Sequence, residues 1–497
     1  MSTFKAAQHK ALIELRNKGV AHAERTIRLA KCEIKALYVK QIVDTKDLAE
    51  FIIKPLIEWN KNEELSASKA VSEIIQAYDV KTDDDMGKIV DYILDGMVVL
   101  LLSADDAYIV ANIKKVEHRS IPKPEITYTL RGPRDCFTEN LDVNLSLIRY
   151  RMKDPNLRVD LMTAGKRSKT SVAVIYIEDI ANPKIVREIK KRIDALSVDI
   201  LWGTGELEQM LQNSPADLFT QFGTTERSDW ACEALVEGKV LIMVDGGGIA
   251  IFLPHTFSET MIACDDRYDN KFFGLFSRII RYLSLLLALC SSSFYIAMVS
   301  FRADILPANF IITIAQMRQS VLFPAIVDVL IIEFLIELMR ESMIRVPTKI
   351  GPAIGIVGAI VIGQAAIAAG IFSPLLLIIA ATSLMASFAI PNYFGSHPFR
   401  ILKFYLIFAT GILGFYGMIL ALTTIMISLV SANSFGVPYM APIAPFNLYD
   451  FVRSLFFSRA HSKKRMQYQK TIDDTRSDPP TLEEKAKEKN IQLREEE

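Results

Sequence analysis

Residues 321–341 read VLFPAIVDVLIIEFLIELMRE. The run is long and apolar enough to enter a bilayer, whose hydrocarbon core of about 30 Å asks for about 20 helical residues. Yet it carries Asp328, Glu333 and Glu337, with Glu341 at its edge. A carboxylate facing lipid costs on the order of several kcal/mol, so such groups turn toward a bundle interior or a wet cavity. On a helix at about 100° per residue, Glu333, Glu337, Arg340 and Glu341 share one side, and Asp328 lies about 140° from Glu333. The stripe suits a water-lined path for cations or a proton relay. A blander reading places Glu337 and Glu341 at the interface, paired with Arg340 and Arg345.

Four further apolar runs surround this one, at about 279–299, 353–372, 375–391 and 404–430. Pro374 separates the second and third of these so closely that they read as a tight helical hairpin. The segment 303–317, ADILPANFIITIAQM, is too short to span and is a candidate re-entrant piece. In the run GPAIGIVGAIVIGQAAIAAG, Gly351, Gly355, Ala359 and Gly363 recur at four-residue spacing, a pattern that lets helices approach closely. Gln364 is the strongly polar side chain of that span, available to a helix interface or a pore. Basic flanks (Lys271, Arg278 and Arg281; Arg340, Arg345 and Lys349; Arg400 and Lys403; Arg453 to Arg465) fit a cytoplasmic N-terminus and a cytoplasmic C-terminus. That arrangement needs an even number of crossings, whereas five runs are legible. The segment 272–452 is therefore read as an all-α polytopic transmembrane bundle of four to six spans.

Before residue 270 the chain reads as soluble. The 497 residues are 51% hydrophobic with a formal net charge of +0, which argues against a nucleic-acid footprint over the whole chain. No apolar signal segment opens the sequence. Five scattered cysteines without a CxxC pair fit small buried hydrophobes in a reducing compartment rather than disulfides or zinc. Two stretches, MGKIVDYILDGMVVLLLSADDAYIVAN (86–112) and SDWACEALVEGKVLIMVDGGGIAIFLP (228–254), each read as helix, glycine, strand, turn, strand. The turns at Ala104-Asp105-Asp106 and Gly246-Gly247-Gly248 hold residue types that accept positive φ. An earlier pair, 33–57 and 171–193, each reads as a strand and then an amphipathic helix. Asp44 and Asn182-Pro183 sit where an N-cap and a first-turn proline belong.

The order repeats, so the soluble part is read as an α/β region of two related subdomains, 30–115 and 165–256. A helical lead (1–29) precedes them, a basic linking helical segment (116–164) joins them, and a disordered charged tail (458–497) ends the chain. Paired lobes either bind a small molecule in their cleft or simply pack. No HExxH, GxSxG or Walker loop is present, so no catalytic arrangement, cofactor or metal site is expected.

The stretches RGPRDCFTENLDVNLSLIRYRMKDPNL, GKRSKTSVAVIYIEDIANP, TTERSDWACEALVEGKVLIMVDGG, IRVPTKIG, VIGQAAIAAGIFSP, AIPNY and FGVPYMAP occur in this order from about 30 to 447. Together they resemble the A subunits of GerA-type spore germinant receptors, a group that includes the stage V sporulation protein AF branch. The resemblance implies a spore (forespore) inner-membrane protein with its N-terminal domain on the core side. It implies an integral-membrane B subunit, a lipoprotein C subunit, a small-molecule germinant and a homo-oligomeric, ligand-gated cation channel. The sequence departs from the family pattern at Ser228, where proline is usual, at SPADLFTQF (214–222) and at the triple glycine. A proton-coupled secondary transporter and a non-conducting scaffold are the competing readings.

Overall fold

The computed structural model describes residues 22–29, 32–40, 42–59, 65–103, 105–113, 124, 127, 129, 131–213, 217–345, 361–456, 464–473 and 475. The chain divides into two compact units. Of the described residues, those up to Asn213, 222–254 and 464–475 form the first; 217–221 and 255–456 form the second.

The first unit holds two five-stranded sheets built on one plan. Strands β1 (Ala23–Arg28), β2 (Glu33–Tyr38), β3 (Val80–Asp83), β4 (Val98–Leu102) and β5 (Tyr108–Ala111) lie in the order β1-β2-β4-β5-β3. Strands β6 (Leu157–Ala164), β7 (Thr170–Ile177), β8 (Gly223–Thr225), β9 (Val240–Val244) and β10 (Ala250–Leu253) lie in the order β6-β7-β9-β10-β8. Every pairing is antiparallel, so helices cover the sheets without parallel crossovers. The central strands VVLLL and VLIMV are buried at all five positions, because each has a covered face on both sides. Alternation then sorts the first core. Val98, Leu100 and Leu102 pack with Ile52, Leu56 and Ile74 from helices over 45–59 (α1) and 67–74 (α2). Val99 and Leu101 pack with Ile89, Val90 and Ile93 of α3 (Ile89–Leu94) on the other face.

Local signals start the helices where the sequence places them. Asp44 accepts from the amides of Lys46 (2.8 Å) and Asp47 (3.3 Å), and Asn182 from Lys184 (3.0 Å), each a cap of about 1 kcal/mol. The β9–β10 turn passes through Gly246 at φ 84°, as its triple glycine suggests.

The expected boundaries need correction at both lobes. Residues 23–28 belong to no helical lead; they are the first strand of sheet one. The linking helix α4 (Leu141–Arg151) and β6 belong to the second lobe, where Leu141, Leu145 and Ile148 share a core with Ile175 and Leu241. Both first strands are edges with half-exposed, charge-bearing faces, and so lack a clean apolar signal. The second lobe is completed by α5 (Pro183–Asp194), α6 (Thr204–Leu211) and α7 (Ser228–Val236).

The tail is corrected in part as well. Arg465, 5% exposed, donates to the carbonyls of Val236 (2.8 Å), Asp473 (2.8 Å) and Thr475, and Ile472 donates to Ile180 O (3.0 Å). Thr471 lies so close to Gly238, at φ 87°, that a Cβ there would come within 2.3 Å of its methyl. This strap fastens 464–473 to the second lobe. The tail beyond 475 lies outside the described residues.

In the second unit, α8 (Lys271–Ile296, continuing in a wider turn to Phe301) is followed by α9 (Ala308–Arg318) and α10 (Ala325–Arg345). Then come a short helix over 361–368 (α11) and α12 (Pro374–Phe388). The segment Tyr393–Ser431 is helical on both sides of Gly414, whose φ of 62° and ψ of −142° break it. Tyr405 Oη lies 3.1 Å from Thr424 Oγ1, and a Cβ on Gly417 would fall 2.0 Å from Ala409 O. A straight helix would hold Tyr405 and Thr424 about 28 Å apart. The run 404–430, expected as one span, is therefore a helical hairpin of α13 (393–413) and α14 (415–431). Its tip touches α8, where a Cβ on Gly414 would meet the Phe301 ring at 2.7 Å.

Among the described residues two stretches are long and apolar enough to cross a membrane, Phe272–Phe301 and Tyr393–Ser431, the second divided at Gly414. Helix α10 has the length but carries four carboxylates. Residues 217–221, part of the SPADLFTQF stretch, belong to this unit. Phe219 stacks on Tyr439 (5.8 Å), and Gln221 O accepts from Ser434 Oγ (2.7 Å).

Candidate functional site

The carboxylates of α10 rise over about 20 Å of helix, from Asp328 to Glu341. Each meets a cation of its own chain. Asp328 is fully buried, with Arg318 Nη1 at 3.2 Å from Oδ2; this is a charge contact, because neither oxygen receives a well-formed hydrogen bond. Arg318 also donates to Tyr295 Oη (2.9 Å) and Phe323 O (3.0 Å). Glu333, 2% exposed, pairs with Lys403 Nζ at 2.5 Å and accepts from Ser292 Oγ. Lys403 donates in addition to Ser383 Oγ (2.8 Å). Glu337 takes a two-pronged contact from Arg400, with Nε at 3.1 Å, while Arg340 Nη1 stands 3.8 Å away. At the end of the row, Glu341 and Arg345 pair in solvent (2.6 Å).

The wet stripe expected from the sequence is, within one chain, a ladder of ion pairs. Asp328, Glu333 and Glu337 do lie along one helix, and the structure adds Arg318, Lys403, Arg400 and Ser292 as partners. Those residues stand 41 to 70 positions away except for Arg318, so helical spacing could not find them. Arg400 and Lys403 were visible only as basic flanks. Gln364 is exposed and apart from the ladder, and a Cβ on Gly363 would meet Leu377 at ordinary contact (3.6 Å). Gly351, Gly355 and Ala359 lie outside the described residues.

A buried pair of this kind is weak evidence for stability, since desolvation offsets most of the attraction; breaking one side is what costs. Its chemistry is that of a latch. Neutralised pairs can sit in a low-dielectric bundle, and their separation exposes charge.

The first unit carries a second charged cluster, built from two of the quoted motifs. Arg227, fully buried, donates to Asp229 through Nε (2.9 Å) and Nη2 (2.7 Å) and to Thr129 Oγ1 through Nη1 (2.5 Å). Arg151, at the end of α4, donates to Ser228 Oγ (2.7 Å) and to Asp135 (2.5 Å), and Ser228 donates to Asp135. Glu226 accepts from Thr127 N (2.7 Å). Burial opposes the Asp135 charge, but the hydrogen bonds from Arg151 and Ser228 outweigh it and hold that carboxyl below the usual range. Burial pushes the neighbouring Cys136 thiol up to about 12, so it is no nucleophile at neutral pH. The cluster ties residues 127–137 to the second lobe. Asp245 of the glycine-rich turn acts in the same way, accepting from Leu141 N (3.1 Å) at the start of α4.

A family model described as Bacillus/Clostridium GerA spore germination protein matches residues 10–469. The chain is 33% identical over 427 residues to Spore germination protein KA of Bacillus subtilis (strain 168), covering 85% of this chain and 78% of that protein. It is 35% identical over 436 residues to Spore germination protein GerLA of Bacillus cereus, covering 87% and 89%. Among solved structures, it is similar to the N-terminal domain of the A subunit of the Bacillus megaterium spore germinant receptor GerK3. That likeness has 22% identity and a TM-score of 0.38, covering 50% of this chain and 94% of that one.

Proposed function

The chain belongs to the Bacillus/Clostridium GerA family of spore germination proteins, and from that premise we propose that it is an A-type subunit of a germinant receptor in the spore inner membrane, forming with further copies a ligand-gated cation channel. The observation that carries this reading is the extent of the match, which runs through both units rather than one lobe. Its partners are an integral-membrane B subunit and a lipoprotein C subunit, and its signal is a small-molecule germinant met directly or through them. No catalytic step is assigned to it.

The ladder on α10 is the gate in its shut state. Each acid is neutralised inside one protomer, so a cation finds no free carboxylate until the pairs part. Opening then exchanges Lys403 and Arg400 for permeant ions and water along Glu333 and Glu337. Gly363 and the small residues before it serve close helix packing between copies.

The strap at 464–473 supports the orientation proposed here. It folds into the same unit as the two lobes, which fits lobes and C-terminus on the core side of the membrane with an even number of crossings between them. The break at Gly414 supports an even count. With α13 and α14 at about 31 and 26 Å, the fifth run supplies two crossings, and the total becomes six.

One observation favours the non-conducting scaffold instead: every carboxylate of the ladder is already paired within its own chain. Reconstitution in liposomes with a potassium-flux assay separates the two. A channel gives flux that Glu333→Gln alters while assembly stays intact. Silence of the complete A, B and C complex with germinant present, or wild-type flux in Glu333→Gln, removes the ladder from conduction.

A further inference from the structure

The ladder pairs do not balance. Beside Glu333 and Glu337 the second unit holds a small, partly open cavity of about 30 Å³, also lined by Arg340, Arg400, Lys403 and Ser387. Three cations therefore face two carboxylates. Lys403 takes Glu333 and Arg400 takes Glu337, so Arg340 has only a share of Glu337, its Nη1 3.8 Å away, and one positive charge is in excess. Its Nη2 donates to Ser387 Oγ (2.9 Å) and its guanidinium lies 5.3 Å from the centre of the Phe388 ring. Its Nε is buried with no hydrogen-bond partner. The nearby serines cannot supply negative charge, and their protons go to carbonyls, Ser387 to Leu384 O (2.7 Å) and Ser383 to Ala288 O (3.0 Å).

An uncompensated cation in a desolvated bundle is costly, and a bound counter-ion offsets it. We propose that this cavity is a binding site for one small inorganic anion of halide size, held by Arg340 with Lys403 and Arg400. Size restricts the class. A water needs roughly 10–15 Å³ of such space, so this cavity takes one or two waters or a single monatomic ion. A metal cation would meet a net positive wall, with three cations against two carboxylates. The anion completes the charge balance of the resting ladder. Its binding does not depend on the chain conducting ions.

The test is the chlorine NMR line width of chloride with purified full-length protein in detergent micelles at fixed ionic strength. Wild-type protein is expected to broaden the line severalfold more than Arg340→Met, and bromide, but not gluconate, is expected to reverse the broadening. Equal broadening by both proteins, or broadening that bromide does not reverse, overturns the site. Should Arg340→Met fail to fold, Arg340→Gln takes its place with the same expected loss, and the bromide competition on wild-type protein is read in the same way.

Discussion

The two charged clusters of this molecule share a composition and differ in completeness. Around Arg227 each guanidinium nitrogen has an acceptor: Nε and Nη2 on Asp229, Nη1 on Thr129. Around α10 atoms are left over: both Asp328 oxygens and Arg340 Nε lack hydrogen bonds. A fully satisfied buried network rigidifies its surroundings, whereas in a partly satisfied one each unpaired polar atom carries a desolvation cost. The first cluster thus serves as a rivet between the 127–137 segment and the second lobe. The second leaves polar atoms of Asp328 and Arg340 unsatisfied.

Breaking each cluster on its cationic side tests that contrast. Arg227→Met removes the two-pronged partner of Asp229, whose side chain is 9% exposed, and should cost about 3–5 kcal/mol, read as a lowered unfolding midpoint of the first unit's transition. A loss below about 1 kcal/mol would make the rivet dispensable. Lys403→Met strands Glu333 in the same way, but Ser292 still donates to it, so on the order of 3 kcal/mol is expected. The double variant Glu333→Gln with Lys403→Met should recover most of that loss, because no charge is then left buried alone. Additive losses in the double variant would mean that the two residues act independently and that the ladder is not made of pairs.

Local order was legible and long-range charge was not. The hairpins at 98–111 and 240–253 followed from apolar runs around turn-forming residues, and the caps Asp44 and Asn182 from residue type next to an amphipathic run. The edge strands β1 and β6 escaped notice because half of each is solvated, so AERTIR reads as readily as a helix. The hairpin at Gly414 escaped because Gly411, Gly414 and Gly417 look alike in an apolar run, and only backbone geometry singles out the middle one. The ladder was half visible. Periodicity gathered its acids on one helix, but Arg400 and Lys403 looked like interface flanks, since nothing in linear spacing distinguishes a cation facing lipid headgroups from one turned inward to Glu337 or Glu333.

The smallest effect expected is at Ser228, where the family resemblance leads to an expectation of proline. Ser228 is the first residue of α7, where proline is well suited: the amide there is an orphan and the fixed φ is already helical. The serine hydroxyl instead bridges Arg151 and Asp135, which also meet directly at 2.5 Å. Ser228→Pro removes the bridge but keeps the charge pair, and proline lowers the entropy of the unfolded chain by a comparable amount. The change in unfolding free energy should therefore stay within about 1 kcal/mol, measured by denaturant melts of the full chain beside Arg227→Met. A loss as large as that of Arg227→Met would mean that the hydroxyl, rather than the guanidinium one residue before it, holds the 127–137 segment, and the rivet would have to be redrawn around Ser228.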